Sequence, residues 1–227
     1  MPPRLKVPLE PRKSPVQARS VASVDAILEA TIQVLLQVGK ERLTTTRVAL
    51  RAGVSVGTLY QYFPNKNALL QAALKRHLSE ISDSIERVCR DHKGTTLRHM
   101  VTALMTAFLQ AKMRDVKTSV ALYYVSSDVD GAKTVQQMRT RYDKAIVRML
   151  ASASEPLAVE PEIVASMLLG LLMGVSRRIL ESGAPEQYLE PLRREMIVMA
   201  CAYLDACSAR SPIQDTPSVN ESTRYTN

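Results

Sequence analysis

Apolar residues recur three and four positions apart along most of the chain, the spacing that places them on one face of an α-helix. Clusters of Gly, Pro, Ser and Asn residues interrupt this period, and no stretch alternates apolar with polar residues as a half-buried strand does. Gly39 would end the first helix, and residues 126–131 would form a loop. We expect an all-α fold of nine helices, spanning residues 23–38, 44–52, 56–63, 68–91, 96–113, 115–125, 133–153, 162–182 and 185–208.

Two of these helices are short and meet at a sharp turn, residues 52–55. Gly53 can adopt the positive φ that a reversal of the chain needs, and the hydroxyl of Ser55 can cap the helix that follows. Leu59 and Phe63 are four residues apart and would bury one face of that second helix. The pair predicts a helix-turn-helix, whose second helix can enter the major groove of DNA.

We predict that DNA is contacted from the start of the first short helix and from the exposed face of the second. Hydroxyls at residues 44–46, free backbone N–H groups and Arg47 would hold a phosphate. Val56 and Thr58 can meet a thymine methyl group, and Gln61 can pair with adenine. Two tyrosines and a lysine would mainly hold the backbone. The predicted DNA-binding residues are Thr44, Thr45, Thr46, Arg47, Ser55, Val56, Gly57, Thr58, Tyr60, Gln61, Tyr62 and Lys66.

The positive charge of the chain is concentrated in the same region. The whole chain carries a formal net charge of +8, and residues 1–66, with ten Lys or Arg and four Asp or Glu residues, account for +6 of it. A merely solvated basic face would have no reason to coincide with a helix-turn-helix. The coincidence indicates a module that binds phosphates of double-stranded DNA.

The segment Val48 to Leu70, VALRAGVSVGTLYQYFPNKNALL, resembles the DNA-binding half of the TetR (tetracycline-repressor-like) family of bacterial transcription regulators. Lys40 and Leu43 depart from the commonest family pattern, which bears on the operator sequence and not on the fold. The resemblance implies a helix-turn-helix head joined by a long helix to a helical body that binds a ligand and dimerises. It also implies that the two closing helices form a four-helix interface in a homodimer.

The closing helices carry patterns compatible with such an interface. Small residues recur every four positions in the penultimate helix, which lets another helix approach closely, and the last helix has an apolar stripe near heptad spacing. The alternative is that both stripes are buried in the core of the body. The predicted interface residues are Ser166, Gly170, Gly174, Leu192, Met196, Met199 and Tyr203.

The body also holds most of the ten Met residues, and Met side chains often line adaptable cavities. We predict a pocket for a mostly apolar small-molecule effector, while each residue alone is also compatible with an ordinary core position. The predicted ligand-binding residues are Met100, Met105, Phe108, Tyr123, Tyr124, Met138, Tyr142, Met173 and Arg177.

Other classes of protein find little support in the sequence. The three His residues are isolated, and no Gly-rich phosphate loop or metal-binding cluster is present, so we expect neither an enzyme nor a cofactor. Three scattered Cys residues are typical of a reducing compartment. The N-terminus has no apolar signal segment, and the longest apolar run, residues 164–175, is too short to span a bilayer. We expect a cytoplasmic protein without a membrane partner.

These observations predict four segments. Residues 1–18 would be a disordered basic arm, 19–66 the DNA-binding head, 67–208 the ligand-binding and dimerisation body, and 209–227 a disordered tail. The predicted function is that of a homodimeric repressor released from a palindromic operator by a small apolar ligand. The alternatives are a DNA-binding protein that activates or acts without a ligand, a nonspecific DNA-coating protein and a helical enzyme.

Overall fold

The computed structural model describes residues 18–127, 129–183 and 186–209, so the predicted arm and nearly all of the predicted tail lie outside the described residues. The described residues form nine α-helices and no strand, which confirms the all-α prediction. The helices are α1 (Ala18–Arg42), α2 (Thr45–Ala52), α3 (Val56–Tyr62), α4 (Lys66–Asp91), α5 (Leu97–Met113), α6 (Val116–Ser126), α7 (Val129–Leu150), α8 (Pro161–Glu181) and α9 (Glu186–Ala209).

Side-chain caps explain why most helices begin close to the predicted residue. Thr44 accepts a hydrogen bond from the backbone N–H of Arg47, and Asn65 Oδ1 accepts one from Ala68 at 2.8 Å. Thr96 caps α5 and Asp115 caps α6 in the same way. Each cap satisfies an N–H group that has no partner within the helix, so the start of the helix is specified locally.

The predicted loop at residues 126–131 contains the break between two helices but extends too far, because residues 129–131 are helical. The helix α7 begins at Val129, and Gly131 lies inside its first turn. A Cβ atom at Gly131 would lie 2.7 Å from Ser126 Cα, which is closer than van der Waals contact allows. Gly131 therefore permits the end of α6 and the start of α7 to approach each other at backbone distance.

Two hydrophobic clusters divide the interior. The head cluster combines α1–α4 with Leu122 and Val125 of α6, and the body cluster combines residues of α4, α5, α7, α8 and α9. The long helix α4 contributes to both clusters, and Leu78 packs against both. The head is therefore closed from the body side by α6, which the sequence pattern did not indicate.

The helices α1 and α8 are long and apolar enough, by length and composition alone, to cross a membrane. The prediction that the longest apolar stretch is too short to span a bilayer was therefore wrong, because α8 extends over Pro161–Glu181 with a mean hydropathy of 1.7. One face of α8 is buried in the body cluster, through Val164, Leu168 and Leu172. Core helices of soluble proteins commonly show the same hydropathy.

Candidate nucleic-acid interface and effector cavity

The helices α2 and α3 form the predicted helix-turn-helix. Gly53 has φ 68° and ψ 28°, the left-handed conformation that an amino acid with a Cβ atom rarely adopts, and it ends α2. The turn is held by a hydrogen bond of 3.0 Å from Val54 N–H to Ala49 O. Leu59 and Phe63 are buried in the head cluster, as predicted.

The opposite face of α3 is accessible to a binding partner, but its residues differ in how far they are exposed. Gln61 is exposed, and the Tyr60 side chain is exposed over 41% of its surface with its hydroxyl 3.0 Å from Thr45 Oγ1. Val56 and Tyr62 are half-buried because they pack against the head cluster. The outward-facing surface of α3 is therefore narrower than the sequence pattern predicted.

Hydrogen bonds within the head position two of its hydroxyl groups. Ser55 Oγ accepts the N–H of Thr58 at 2.9 Å and lies 2.8 Å from Thr58 Oγ1. One of these two hydroxyls donates to the other, and the Thr58 methyl group is a further part of that side chain suited to contact a base. Gly57 has no side chain, so the backbone of α3 can approach a partner closely there.

The cations beside α3 are anchored to neighbouring elements. Lys66 Nζ donates to Lys40 O at 2.9 Å and to Glu41 O at 3.3 Å, so the start of α4 is tied to the end of α1. An ammonium group has three N–H donors, which leaves one for a phosphate. Arg51, which was not among the predicted DNA-binding residues, is held by Gln33 at 2.6 Å.

A cavity of about 210 Å³ lies among the helices α4–α8, beside the head cluster. Of the predicted ligand-binding residues, Phe108, Tyr123, Met138, Tyr142, Met173 and Arg177 line it. The wall is completed by Leu74, His77, Leu78, Ile81, Lys112, Ser119, Leu122, Ser126, Val135, Ser176 and Leu180.

Three predicted ligand-binding residues do not line this cavity. Met100 and Met105 are fully buried within the body cluster, on parts of α5 that face other helices. Tyr124 is 55% exposed, because consecutive residues of a helix point about 100° apart and its neighbour Tyr123 takes the inward position. A count of apolar residues along the chain does not distinguish these positions from true cavity walls.

One end of the cavity is polar and combines residues of three helices. His77 Nε2 lies 3.2 Å from Ser119 Oγ, and Ser119 donates its own proton to Lys112 O at 2.5 Å. His77 Nε2 therefore carries the proton that completes the first of these bonds. Burial, followed by the nearby charge of Lys112, lowers the pKa of His77 to about 4, so the imidazole is neutral at pH 7.

Two further residues of the cavity wall, Arg177 and Tyr123, share an acidic partner. Arg177 Nε donates to Glu181 Oε1 at 2.8 Å, and the Tyr123 hydroxyl donates to the same oxygen at 2.7 Å. This hydrogen bond raises the pKa of Tyr123. The charge of Arg177 is thus already compensated within the chain.

His77, Lys112 and Ser119 line the cavity but were not among the predicted ligand-binding residues. Each belongs to a different helix, and they lie 35 and 7 residues apart along the chain. The one available signal was a His within the apolar period of the fourth predicted helix, a position that core residues also occupy. Their convergence is a consequence of tertiary packing.

Part of the predicted dimer interface is exposed in the structure. Ser166, Gly170 and Gly174 are exposed on α8, and Met199 of α9 is 57% exposed. Met196 is only 2% exposed and packs in the body cluster, so its assignment to the interface was wrong. Leu192 and Tyr203 are half-buried, while further exposed apolar residues on this part of α8 and α9 are Ile163, Met167 and Val198.

No group of three or more His, Cys, Asp or Glu side chains within the described residues is arranged to hold a metal ion. The three Cys residues are buried free thiols, and burial raises the pKa of Cys89 to about 12.

Comparisons with known proteins agree with this architecture. Residues 27–73 match the family model described as bacterial regulatory proteins, tetR family, and residues 96–204 match the tetracyclin repressor-like C-terminal domain. The transcriptional repressor KstR of Mycobacterium tuberculosis is 33% identical over 128 residues, which cover 56% of this chain and 57% of that protein. The nucleoid occlusion factor SlmA of Photobacterium profundum is 26% identical over 164 residues, which cover 70% of this chain and 84% of that protein.

Solved structures show the same fold at lower identity. The SmeT–triclosan complex aligns with a TM-score of 0.62 at 21% identity, covering 80% of this chain and 91% of SmeT. The fatty acid degradation regulator FadR of Bacillus halodurans aligns with a TM-score of 0.57 at 17% identity, covering 76% of this chain and 97% of FadR. With both halves of the chain matched by family models, the protein belongs to the TetR family and is a DNA-binding transcriptional regulator.

Proposed function

We propose that this chain is a cytoplasmic, homodimeric repressor that binds a palindromic operator and is released by a small, mostly apolar ligand. The observation that carries the proposal is the position of the cavity beside the head. Leu74 and Leu122 line the cavity and also belong to the head cluster. The cavity and the core of the DNA-binding head therefore share these two side chains. The repressor named KstR among its relatives supports the sign of regulation.

The operator would be read by α3 and positioned by its neighbours. The exposed amide of Gln61 can form a bidentate pair with adenine, and the methyl groups of Val56 and Thr58 can contact thymine. Tyr60 and Lys66, both held by hydrogen bonds within the head, would contact phosphates. The predicted phosphate site at residues 44–46 lies at the N-terminus of α2, where free N–H groups and the helix dipole favour an anion.

Release would follow from a difference in ligand affinity between two arrangements of the head. A ligand that fills the cavity presses on four residues of α4, Leu74, His77, Leu78 and Ile81, which lie on one face of that helix. The same ligand touches α6 through Leu122. If the arrangement that best accommodates the ligand spaces the two heads differently from the operator, ligand binding weakens DNA binding.

The homodimer is supported by the surface of α8 and α9. A Cβ atom at Gly170 or Gly174 would meet nothing within 4 Å, so the chain's own packing does not require these glycines. A partner helix at backbone distance would require them. Two heads related by a two-fold axis match a palindrome with half-sites one helical turn apart.

The division into a head at residues 19–66 and a body at residues 67–208 remains part of the proposal, as do the basic arm at 1–18 and the tail at 209–227. The contribution of α6 to the head cluster means that the head depends on the body for part of its packing. We therefore propose that the isolated head would be less stable than the head in the intact chain.

The test is selection of the purified full-length protein on a random DNA library, with the retained fraction sequenced at two salt concentrations. A palindrome that persists at the higher salt concentration supports the proposal. Gln61→Ala should relax preference at one base position of each half-site, at a cost of about 1–3 kcal/mol. Lys66→Ala should weaken binding to all sequences about equally and lower the salt slope by about one unit.

Three results would contradict parts of the proposed function. Retention without an enriched site, lost at higher salt, would identify a nonspecific DNA-coating protein. An unchanged sequence preference in Gln61→Ala would remove that side chain from base readout. A reporter that is induced by the protein itself at the selected site would identify an activator.

A further inference from the structure

The cavity contains one positive charge that has no anionic partner among the described residues. Its wall includes two cations, Lys112 and Arg177, and no carboxylate. Arg177 is paired with Glu181, whereas the ammonium group of Lys112 takes part in no hydrogen bond or ion pair of the described side chains. The unpaired charge therefore lies at the polar end of the cavity, beside His77 and Ser119.

The surroundings of Lys112 make this charge costly. Lys112 keeps some accessible surface because it lines the cavity, but protein atoms surround its ammonium group, and burial lowers its pKa to about 8. The group is still mostly protonated at pH 7. Neutral His77 offers no compensating charge. The carboxylate of Asp115 already accepts a hydrogen bond of 3.0 Å from the backbone N–H of Thr118. A buried ammonium without a partner is unfavourable, and an anion brought into the cavity would relieve that cost.

The rest of the cavity sets the shape of such an anion. Phe108, Met138 and Met173 supply apolar parts of the same cavity wall. Tyr142 adds a ring whose pKa burial raises to about 12, so it stays neutral. An engineered protein cavity of about 150 Å³ accommodates benzene. A volume of about 210 Å³ therefore suits one substituted ring or a medium-length aliphatic chain.

We propose that the effector is a small carboxylic acid bound as its carboxylate, with the anionic group paired to Lys112 and the apolar body against Phe108, Met138 and Met173. This inference rests on the proposed ligand-released function and specifies the chemical class of the ligand. It also supplies a counter-charge for the uncompensated cation at the polar end of the cavity.

Two matched pairs of probes test the inference on the purified full-length protein without DNA. Octanoate is compared with octan-1-ol, and 3-phenylpropanoate with 3-phenylpropan-1-ol, by calorimetric titration at pH 7. Within at least one pair the acid should bind about ten- to a hundredfold more tightly, the value of a hydrogen-bonded charge pair in a protein.

Variants assign this preference to the lysine. Lys112→Met keeps the length of the side chain and removes its charge, so it should abolish the preference for the acid. Lys112→Arg keeps the charge and should retain the preference. Lys117→Met is the matched control, because Lys117 is exposed on the next helix and lies outside the cavity wall.

Equal affinities for acid and alcohol, a preference that survives in Lys112→Met, or failure of both acids to bind at millimolar concentration would each overturn the inference. Failure of the proposed function gives a different pattern. The acids would then bind with the predicted dependence on Lys112, but would not release the protein from the DNA selected on the random library.

Discussion

Replacing Lys112 by Met should make the ligand-free protein more stable, although it removes a charged residue from a candidate binding site. The pKa of Lys112 is lowered from 10.5 to about 8 by burial, with no partner that compensates it. At about 1.4 kcal/mol per pKa unit, this corresponds to roughly 3 kcal/mol of preference for the neutral form. Met has a similar length and is apolar. We therefore expect Lys112→Met to raise the free energy of unfolding by about 1–3 kcal/mol at pH 7. The upper end of this range corresponds to the full cost of the buried charge.

The dependence on pH provides an internal check. The pKa of Lys112 is lower in the folded than in the unfolded chain, so the unfolded chain binds the extra proton between pH 8 and pH 10.5. The stability of the wild type should therefore rise over this interval relative to that of Lys112→Met. The charged and titratable neighbours of this end of the cavity are His77, Arg114, Asp115 and Arg76. The pKa of His77 is lowered to about 4 and that of Asp115 is also lowered, so neither of these two groups changes protonation in this interval. Tyr142 and Cys89 are common to both proteins, so their contributions cancel in the difference.

The assay is urea unfolding followed by far-ultraviolet circular dichroism at pH 7, 8.5 and 10, with Lys117→Met as the control. A thermal scan should show about 2–4 °C of increase in Tm per kcal/mol for a chain of this size. A variant that is no more stable than the wild type at pH 7, with the same slope against pH, would show that Lys112 carries no uncompensated charge. An anionic effector would then relieve no buried charge by pairing with Lys112.

The remaining predictions concern three other sites. Burial lowers the pKa of His77 to about 4, so the wild type should lose stability as the pH falls from 6.5 to 4. His77→Gln should lose less stability over the same interval, measured by urea unfolding. Equal losses in the two proteins would contradict this prediction. Gly131→Ala should lower the free energy of unfolding by about 1–3 kcal/mol in the same assay, because the new Cβ would overlap the backbone of Ser126. An unchanged stability would show that the α6–α7 junction adapts freely. Gly170→Leu should leave the unfolding of the monomer nearly unchanged and weaken self-association in analytical ultracentrifugation; unaltered association would remove this part of α8 from the interface.

Much of the fold is predictable because its signals are local. Thr44, Ser55 and Asn65 cap helices within three residues of their own positions, and Gly53 ends α2 through its own φ angle. Such interactions depend on neighbours along the chain, so they can be recognised without knowing the tertiary structure. The helix-turn-helix was located for this reason.

The predictions that were wrong depend on contacts between residues that are distant along the chain or packed by the tertiary structure. Gly131 was interpreted as a loop residue because its Gly identity is visible in the sequence, whereas the backbone of Ser126 that requires it is visible only in the packed structure. Met138 and Met173 line the cavity while Met100 and Met105 do not, and all four occupy apolar positions of helices. The polar end of the cavity arises only when α4, α5 and α6 are packed together.

The arrangement of α4 connects the two candidate sites physically. Its cavity-facing residues extend from Leu74 to Ile81, and its first residue, Lys66, holds the last carbonyls of α1 in the head. Eleven residues separate Lys66 from His77, a distance of about 16 Å at 1.5 Å per residue. A tilt of only about 5° about the cavity end would therefore move the head end of α4 by roughly 1.4 Å. The hydrogen bonds of Lys66 would carry α1 with it, so in the proposed homodimer a ligand far too small to reach DNA would change the separation of the two α3 helices.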